Sequence, residues 1–165
     1  MIDPDVRVAT RTDAAALEEL EAEARAALVD ARGGRRWLDE HPLIGPGWVS
    51  AMIDRSVFVA AIPVPESGEV LVGYLVLDVA GEVAMVDQVY VTPAARELGF
   101  GDALLDAALT AGRLAGATFL EGHALPGDRD TKNLYERAGI TARLITVSTA
   151  LAPVSVPTTA VDASR

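Results

Sequence analysis

The chain is 165 residues long, half of them hydrophobic, with 24 acidic against 14 basic side chains for a formal net charge of −10. That length suits one globular domain with a proper core, and the negative balance sets the surface against nucleic acid. With no cysteine there is no disulfide, thiolate zinc site or cysteine nucleophile. No apolar run approaches the ~20 residues of a membrane span, and the opening MIDPDVRVATRTD lacks the order of a signal peptide, so a cytoplasmic protein is expected.

In chain order, Val6 to Thr10 alternates as a short strand, and Thr12 or Asp13 is placed to cap the helix that follows. That helix runs through AAALEELEAEARAALVDA, with Leu17, Leu20, Ala24, Ala27 and Leu28 at helical spacing. Glu18, Glu19, Glu21 and Glu23 read as its solvated face. Gly33-Gly34 breaks the helix, Trp37 and Leu38 start a second short one, and Pro42, Gly45, Pro46 and Gly47 mark a loop before another turn or two at Trp48 to Ile53. The two tryptophans, flanked by Arg35, Arg36 and His41, either wall an acceptor pocket or pack a loose helix pair onto a sheet. His41 reads as a surface residue.

Ser56 to Pro63 is a buried strand, Pro65 to Gly68 a turn, Glu69 to Val79 a long strand and Val83 to Val91 the next, spaced as an antiparallel meander. A loop then leads into a helix over Asp102 to Ala115, with Leu104, Leu105, Ala108, Leu109 and Gly112 facing the core. Ala117 to Ala124 returns as a strand, which a strand–helix–strand crossover makes parallel to its predecessor. Asp128 or Asp130 caps a short helix ending at Ala138, with Gly139 as its C-terminal stop. Thr141 to Leu151 reads as a final strand, closing a domain over residues 1–152. The tail, 153–165, is rich in Pro, Ser, Thr and Ala and reads as flexible, with an edge segment at Val154 to Val156.

The stretch that organises the rest is VDQVYVTPAARELGFGDALLDAALTAGRLAG, Val86 to Gly116. It joins an apolar strand to a long amphipathic helix through a glycine loop. Such a loop turns backbone N–H groups outward at the positive end of a helix dipole, where phosphate binds. It is not a P-loop, because no Gly-Lys-Ser/Thr follows, and it lacks the third glycine of a dinucleotide fingerprint.

With VYVTPAARELGFGDALL at this position and LYERAGI at Leu134 to Ile140, the chain resembles the GNAT superfamily of acetyl-CoA-dependent N-acyltransferases over roughly Val6 to Leu151. The resemblance implies an α/β (α+β) fold: a mixed, mostly antiparallel central sheet with helices on both faces. It implies acetyl-CoA as co-substrate with no metal, and an amine-bearing acceptor, with neither nucleic acid nor membrane as partner. Backbone N–H groups of Leu98, Gly99, Phe100 and Gly101 would bind the pyrophosphate with Arg96 beside them. The backbone of Val89, Tyr90 and Val91 would pair with pantetheine, and an N–H there would polarise the thioester carbonyl. Glycine at Gly99 and Gly101 would avoid a Cβ crowding the phosphates or the turn.

Tyr135 falls where the family commonly places the acid that protonates the leaving thiolate, a role within reach of a phenol. For the base, the family's positions correspond to Met85, which cannot act, and Asp87. His123, on the neighbouring parallel strand, is the other candidate. Three departures stand out. Asp128, with Lys132 one turn on, occupies the cofactor-contacting start of the last helix where the family often has Asn. Glu97 replaces the usual Gly or basic loop residue. Only one strand follows the last helix, which leaves the acceptor side open or completed by a partner subunit in a homodimer. The reading is therefore an N-acetyltransferase working by direct attack of an amine, with a non-catalytic acyl-CoA sensor or protein-interaction module as the alternative.

Overall fold

A computed structural model of the chain describes residues 4–66 and 68–151. Five strands form one sheet in the order β1 to β5: β1 (Asp5–Val8), β2 (Ser56–Val64), β3 (Gly68–Ala80), β4 (Val83–Val91) and β5 (Phe119–Gly122). The first four are antiparallel neighbours and β5 runs parallel to β4. The sheet is thus mixed and mostly antiparallel, as the element order implied. Its helices are α1 (Ala14–Leu28), α2 (Gly34–Glu40), α3 (Trp48–Asp54), α4 (Phe100–Leu114) and α5 (Arg129–Arg137).

The period of two along the central strands builds a core on each face. Val57 and Val59 of β2 and Tyr74 and Val76 of β3 pack with Leu17 and Leu20 of α1 and with Trp48 of α3. The alternate residues Phe58, Ala60, Leu75 and Leu77 point to the other face, against Leu104, Leu105 and Ala108 of α4 and Leu134 and Tyr135 of α5. Trp48 meets the Tyr74 ring edge-on at 5.4 Å; its indole N–H is buried without a hydrogen-bond acceptor among the described residues.

Two irregularities matter for the site. In the β3–β4 ladder Val76 pairs with Gln88 and Leu77 with Val86, so Asp87 is the extra residue of a β-bulge. The β4–β5 ladder stops at Val86 and Gly122, so the second half of β4 has no strand beside it on that edge. The sheet splays open where Asp87 begins.

Four local expectations are corrected. Asp13 does not cap α1. Its carboxylate turns back to the Thr10 N–H (2.6 Å) and to both terminal nitrogens of Arg7 (2.8 and 2.9 Å), closing the one-turn helix Arg11–Asp13 instead. Glu21 is not on a solvated face but is fully buried, because the loop after α2 folds over it. Glu18, Glu19 and Glu23 do face solvent, whereas Ala27 is exposed rather than inward. Residues 141–151 join no strand: Leu144, Ile145, Val147 and Leu151 are 78–88% exposed. A strand needs a partner edge as well as β-forming residues, and these residues pair with no edge among the described residues. Val154 to Val156 and the tail lie outside the described residues.

Candidate active site

The glycine loop is positioned by a chain of local causes. Thr92 and Pro93 end β4, a 3-10 turn spans Pro93–Ala95, and buried Phe100 roots α4 in the core. Gly99 is the N-cap of α4 with φ +87°, a left-handed conformation that glycine adopts without strain. Glu97 also sits at φ +66°, where a side chain is strained. Among the described residues no acceptor is present for the backbone N–H groups of Leu98 to Asp102. Those donors at the head of a 15-residue helix are the donor set a pyrophosphate requires. Beyond Val86, β4 has no strand on the side away from β3 among the described residues, and the Val91 carbonyl on it accepts from Arg96 Nε (3.1 Å).

Gly101 has another reason to be glycine than the one expected. A Cβ there would come 2.9 Å from Leu134 Cδ1, so it serves the packing of α4 on α5. Arg96 is also committed elsewhere. Its Nε donates to the Val91 carbonyl (3.1 Å), it pairs with Asp130 (2.5 Å), and its guanidinium lies 5.8 Å from the Tyr90 ring centroid. Burial, with the Glu23 carboxylate nearby, pushes the Tyr90 phenol up to about 12. Lys132 is exposed and faces Glu136 at 3.6 Å. Asp128 caps α5, accepting from the Thr131 N–H at 3.1 Å.

Beside the splay lies a cavity of about 300 Å³. Tyr135, Asp87 and His123, assigned to α5, β4 and the end of β5, all line it, as do Val89 and Asp128. Tyr135 reaches it by crossing over Gly122, and it is buried apart from this exposure. Burial, reinforced by the Asp128 carboxylate, holds its phenol well above the ordinary range. Asp87 is half-buried in its bulge and pairs with Arg55 at 2.9 Å, which also reaches Asp78 at 3.4 Å. His123 is exposed at the rim, with its ring 5.1 Å from that of Trp37.

The far wall comes from the stretch that was ambiguous in sequence. The two tryptophans part company: Trp37 lines the cavity, while Trp48 packs in the core. His41 is not a free surface residue: its ring stacks on Trp37 at 3.5 Å and its Nδ1 lies 2.9 Å from the Trp37 carbonyl. Their spacing of four along one helix was the signal available. Arg25 of α1 also lines the cavity, donating to the carbonyls of His41 (2.7 Å) and Leu38 (3.1 Å).

Glu21 holds this wall in place. Its carboxylate accepts from the backbone N–H groups of Ile44 (2.7 Å) and Gly45 (2.9 Å) and from the Gln88 amide (3.3 Å), and Gln88 in turn accepts from the Tyr74 hydroxyl (2.7 Å). One buried charge thus ties the α2–α3 loop to the bulged strand. The signal was present in the helical spacing: Glu21 stands four residues after Leu17, three before Ala24 and seven before Leu28, on the apolar stripe that Glu18, Glu19 and Glu23 avoid.

A family model described as the acetyltransferase (GNAT) family matches residues 15–140, well over half of the chain. No curated protein sequence matches. Among solved structures, the BH1408 protein from Bacillus halodurans, as its tetramutant, superposes with a TM-score of 0.68 at 16% identity over 89% of this chain and 99% of that one. A ribosomal-protein-alanine N-acetyltransferase from Brucella melitensis gives 0.63 at 18% identity over 90% and 100%. The aminoglycoside N-acetyltransferase AAC(6')-Iy in complex with CoA gives 0.59 at 17% over 92% and 97%. At these identities the likeness to solved structures is one of fold.

Proposed function

The chain belongs to the GNAT acetyltransferase family, and we propose that it is an N-acetyltransferase that passes an acetyl group from acetyl-CoA directly to a primary amine. The observation that carries this reading is that Tyr135, Asp87 and His123 line one cavity, at the point where β4 parts from β5. The loop from Leu98 to Gly101, with Arg96 at its entrance, binds the pyrophosphate through its outward N–H groups. The backbone of Val89, Tyr90 and Val91 pairs with the pantetheine arm, and Asp128 and Lys132 border the same groove.

The acceptor enters against Trp37 and His41 as an ammonium. Asp87 or His123 accepts its proton, leaving the amine lone pair free to attack. A β4 backbone N–H stabilises the negative charge that develops on the carbonyl oxygen. Tyr135 donates its O–H to the sulfur as the C–S bond breaks, the nitrogen sheds its second proton, through water, back to the phenolate, and the products are the acetylated amine and free thiol. Asp87 is paired with Arg55 at 2.9 Å, so its proton transfer runs through water or requires Arg55 to swing away to Asp78. His123 carries no such restraint among the described residues. Work in the cytoplasm, where acetyl-CoA is made and used, suits this chemistry.

The Asp87–Arg55 and Arg96–Asp130 pairs support a second reading, a non-catalytic acyl-CoA sensor on the same fold. Free-thiol release from acetyl-CoA across a panel of polyamines, amino acids, aminoglycosides and N-terminal peptides separates the two. Turnover with any one class supports the enzyme. Binding of acetyl-CoA without turnover on any class supports the sensor, and no thermal stabilisation by millimolar acetyl-CoA contradicts both.

A further inference from the structure

The charged side chains that line the cavity are Arg25, Glu40, Arg55, Asp87 and Asp128. Glu40 is paired with Arg36 (2.7 Å) and Asp87 with Arg55 (2.9 Å). Arg25 and Asp128 have no ion-pair partner among the described residues. They reach the cavity from α1 and from the start of α5, helices on opposite faces of the sheet. The two charges left over are of opposite sign, which suits a ligand that carries both.

Arg25 is held ready rather than used up. It is half-buried, and its fork donates to the carbonyls of His41 (2.7 Å) and Leu38 (3.1 Å) at the end of α2. Both acceptors are neutral, and a guanidinium has N–H groups to spare beyond these two bonds. A carboxylate completes such a cation best, because both its oxygens can accept from the planar fork. Asp128 supplies the negative charge close enough to act on the Tyr135 phenol. Leu28, Leu38, Ile44 and Leu125 add an apolar lining, and at about 300 Å³ the cavity is at the small end of ligand sites.

Resting on the acetyltransferase reading, we propose that the acceptor is a small zwitterion, a free α-amino acid with an apolar side chain. Arg25 binds its carboxylate, and its ammonium faces Asp128 and Tyr135. The nitrogen forms the C–N bond to the acetyl group as the C–S bond breaks; of its two departing protons, one ends on the thiol and one in solvent. Polyamines and aminoglycosides carry several cations and no carboxylate, so a second positive charge meets Arg25 and Arg55 and they are rejected. A protein N-terminus brings the ammonium without its own carboxylate and leaves Arg25 unmatched.

Calorimetric titration of L-leucine, L-methionine and L-phenylalanine into the protein saturated with CoA reads acceptor binding without turnover. The acids should bind at least about tenfold more tightly than the corresponding amino-acid amides, which keep amine and side chain but lack the carboxylate. Arg25→Gln should weaken the acids at least about tenfold and leave the amides within about twofold. An Arg25 that only pins the α2 loop would weaken both alike, and that result overturns the proposal. So does equal binding of acid and amide by the wild type, or no binding of any acid. Thiol release with spermidine or kanamycin and none with amino acids overturns it too, while leaving the acetyltransferase reading intact. Arg25-dependent binding of the acids without thiol release keeps the zwitterion site and removes the acetyltransferase reading instead.

Discussion

Tyr135 lies so close over Gly122 that a Cβ on the glycine would sit 2.7 Å from the tyrosine Cζ. The end of β5 is therefore a floor that only a hydrogen side chain leaves low enough for the phenol to reach the cavity. Gly122→Ala forces the ring upward, with an overpacking cost of about 1–3 kcal/mol. Thiol release should fall at least tenfold while the affinity for acetyl-CoA, measured by calorimetry, stays within about twofold. An alanine variant with wild-type turnover would show that the ring position is immaterial to the chemistry.

Glu97 is held in the left-handed region beside the phosphate-binding N–H groups. Glu97→Gly removes strain of about 1–2 kcal/mol and adds about 0.5–1 kcal/mol of chain entropy to the unfolded state. Stability should thus stay level or rise slightly. Loss of a carboxylate near the pyrophosphate should tighten acetyl-CoA binding by about 1 kcal/mol, roughly fivefold in Kd. Calorimetric titration of both proteins checks this, and weaker binding by the glycine variant would place Glu97 on the ligand.

Glu21 carries the loop that walls the cavity. Glu21→Ala leaves the Ile44 and Gly45 N–H groups without their acceptor in a buried position. The cost should be about 3 kcal/mol, a fall in melting temperature of roughly 6–12 °C. The acceptor KM should rise more than the acetyl-CoA KM, because the loosened wall faces the acceptor. Glu21→Gln, which keeps one acceptor oxygen, should recover part of both losses.

The Asp13 carboxyl is lowered from 3.8 to about 2, chiefly by its hydrogen bonds with Arg7 and despite its burial. Its folded pKa is below its unfolded one, so its stabilisation is complete above pH 4 and is lost as pH falls toward 2. Linkage puts this at about 1–2 kcal/mol. Urea melts at pH 7 and pH 2.5 should show that difference in the wild type and not in Asp13→Asn. An unchanged pH slope in the variant would remove the Arg7–Asp13 pair from the account.

The fold was readable because its central strands alternate and its helices repeat at 3.6 residues. Ser56, Val83 and Val91 came out as strand ends to the residue. Tyr135 and Asp87 come from the family's spacing and His123 from the parallel strand expected beside Asp87, and all three line one cavity. Their partners were not legible. The Arg55–Asp87 and Arg96–Asp130 pairs span 32 and 34 positions, and the burial of Glu21 depends on a loop 23 residues away. The two ion pairs are set by tertiary packing and leave no local pattern, whereas the place of Glu21 on the apolar stripe of α1 marks its burial but not its partners. Residues 141–151 failed for a related reason. Their β-forming character is real, but among the described residues they pair with no strand.

The central claim is that Tyr135 protonates the sulfur of acetyl-CoA from inside the cavity, and its most direct test is Tyr135→Phe. The account predicts that kcat for thiol release falls by about 10²–10⁴, with the Kd for acetyl-CoA within about twofold of wild type and the melting temperature little changed. A Tyr135→Phe protein that turns over at the wild-type rate would contradict it.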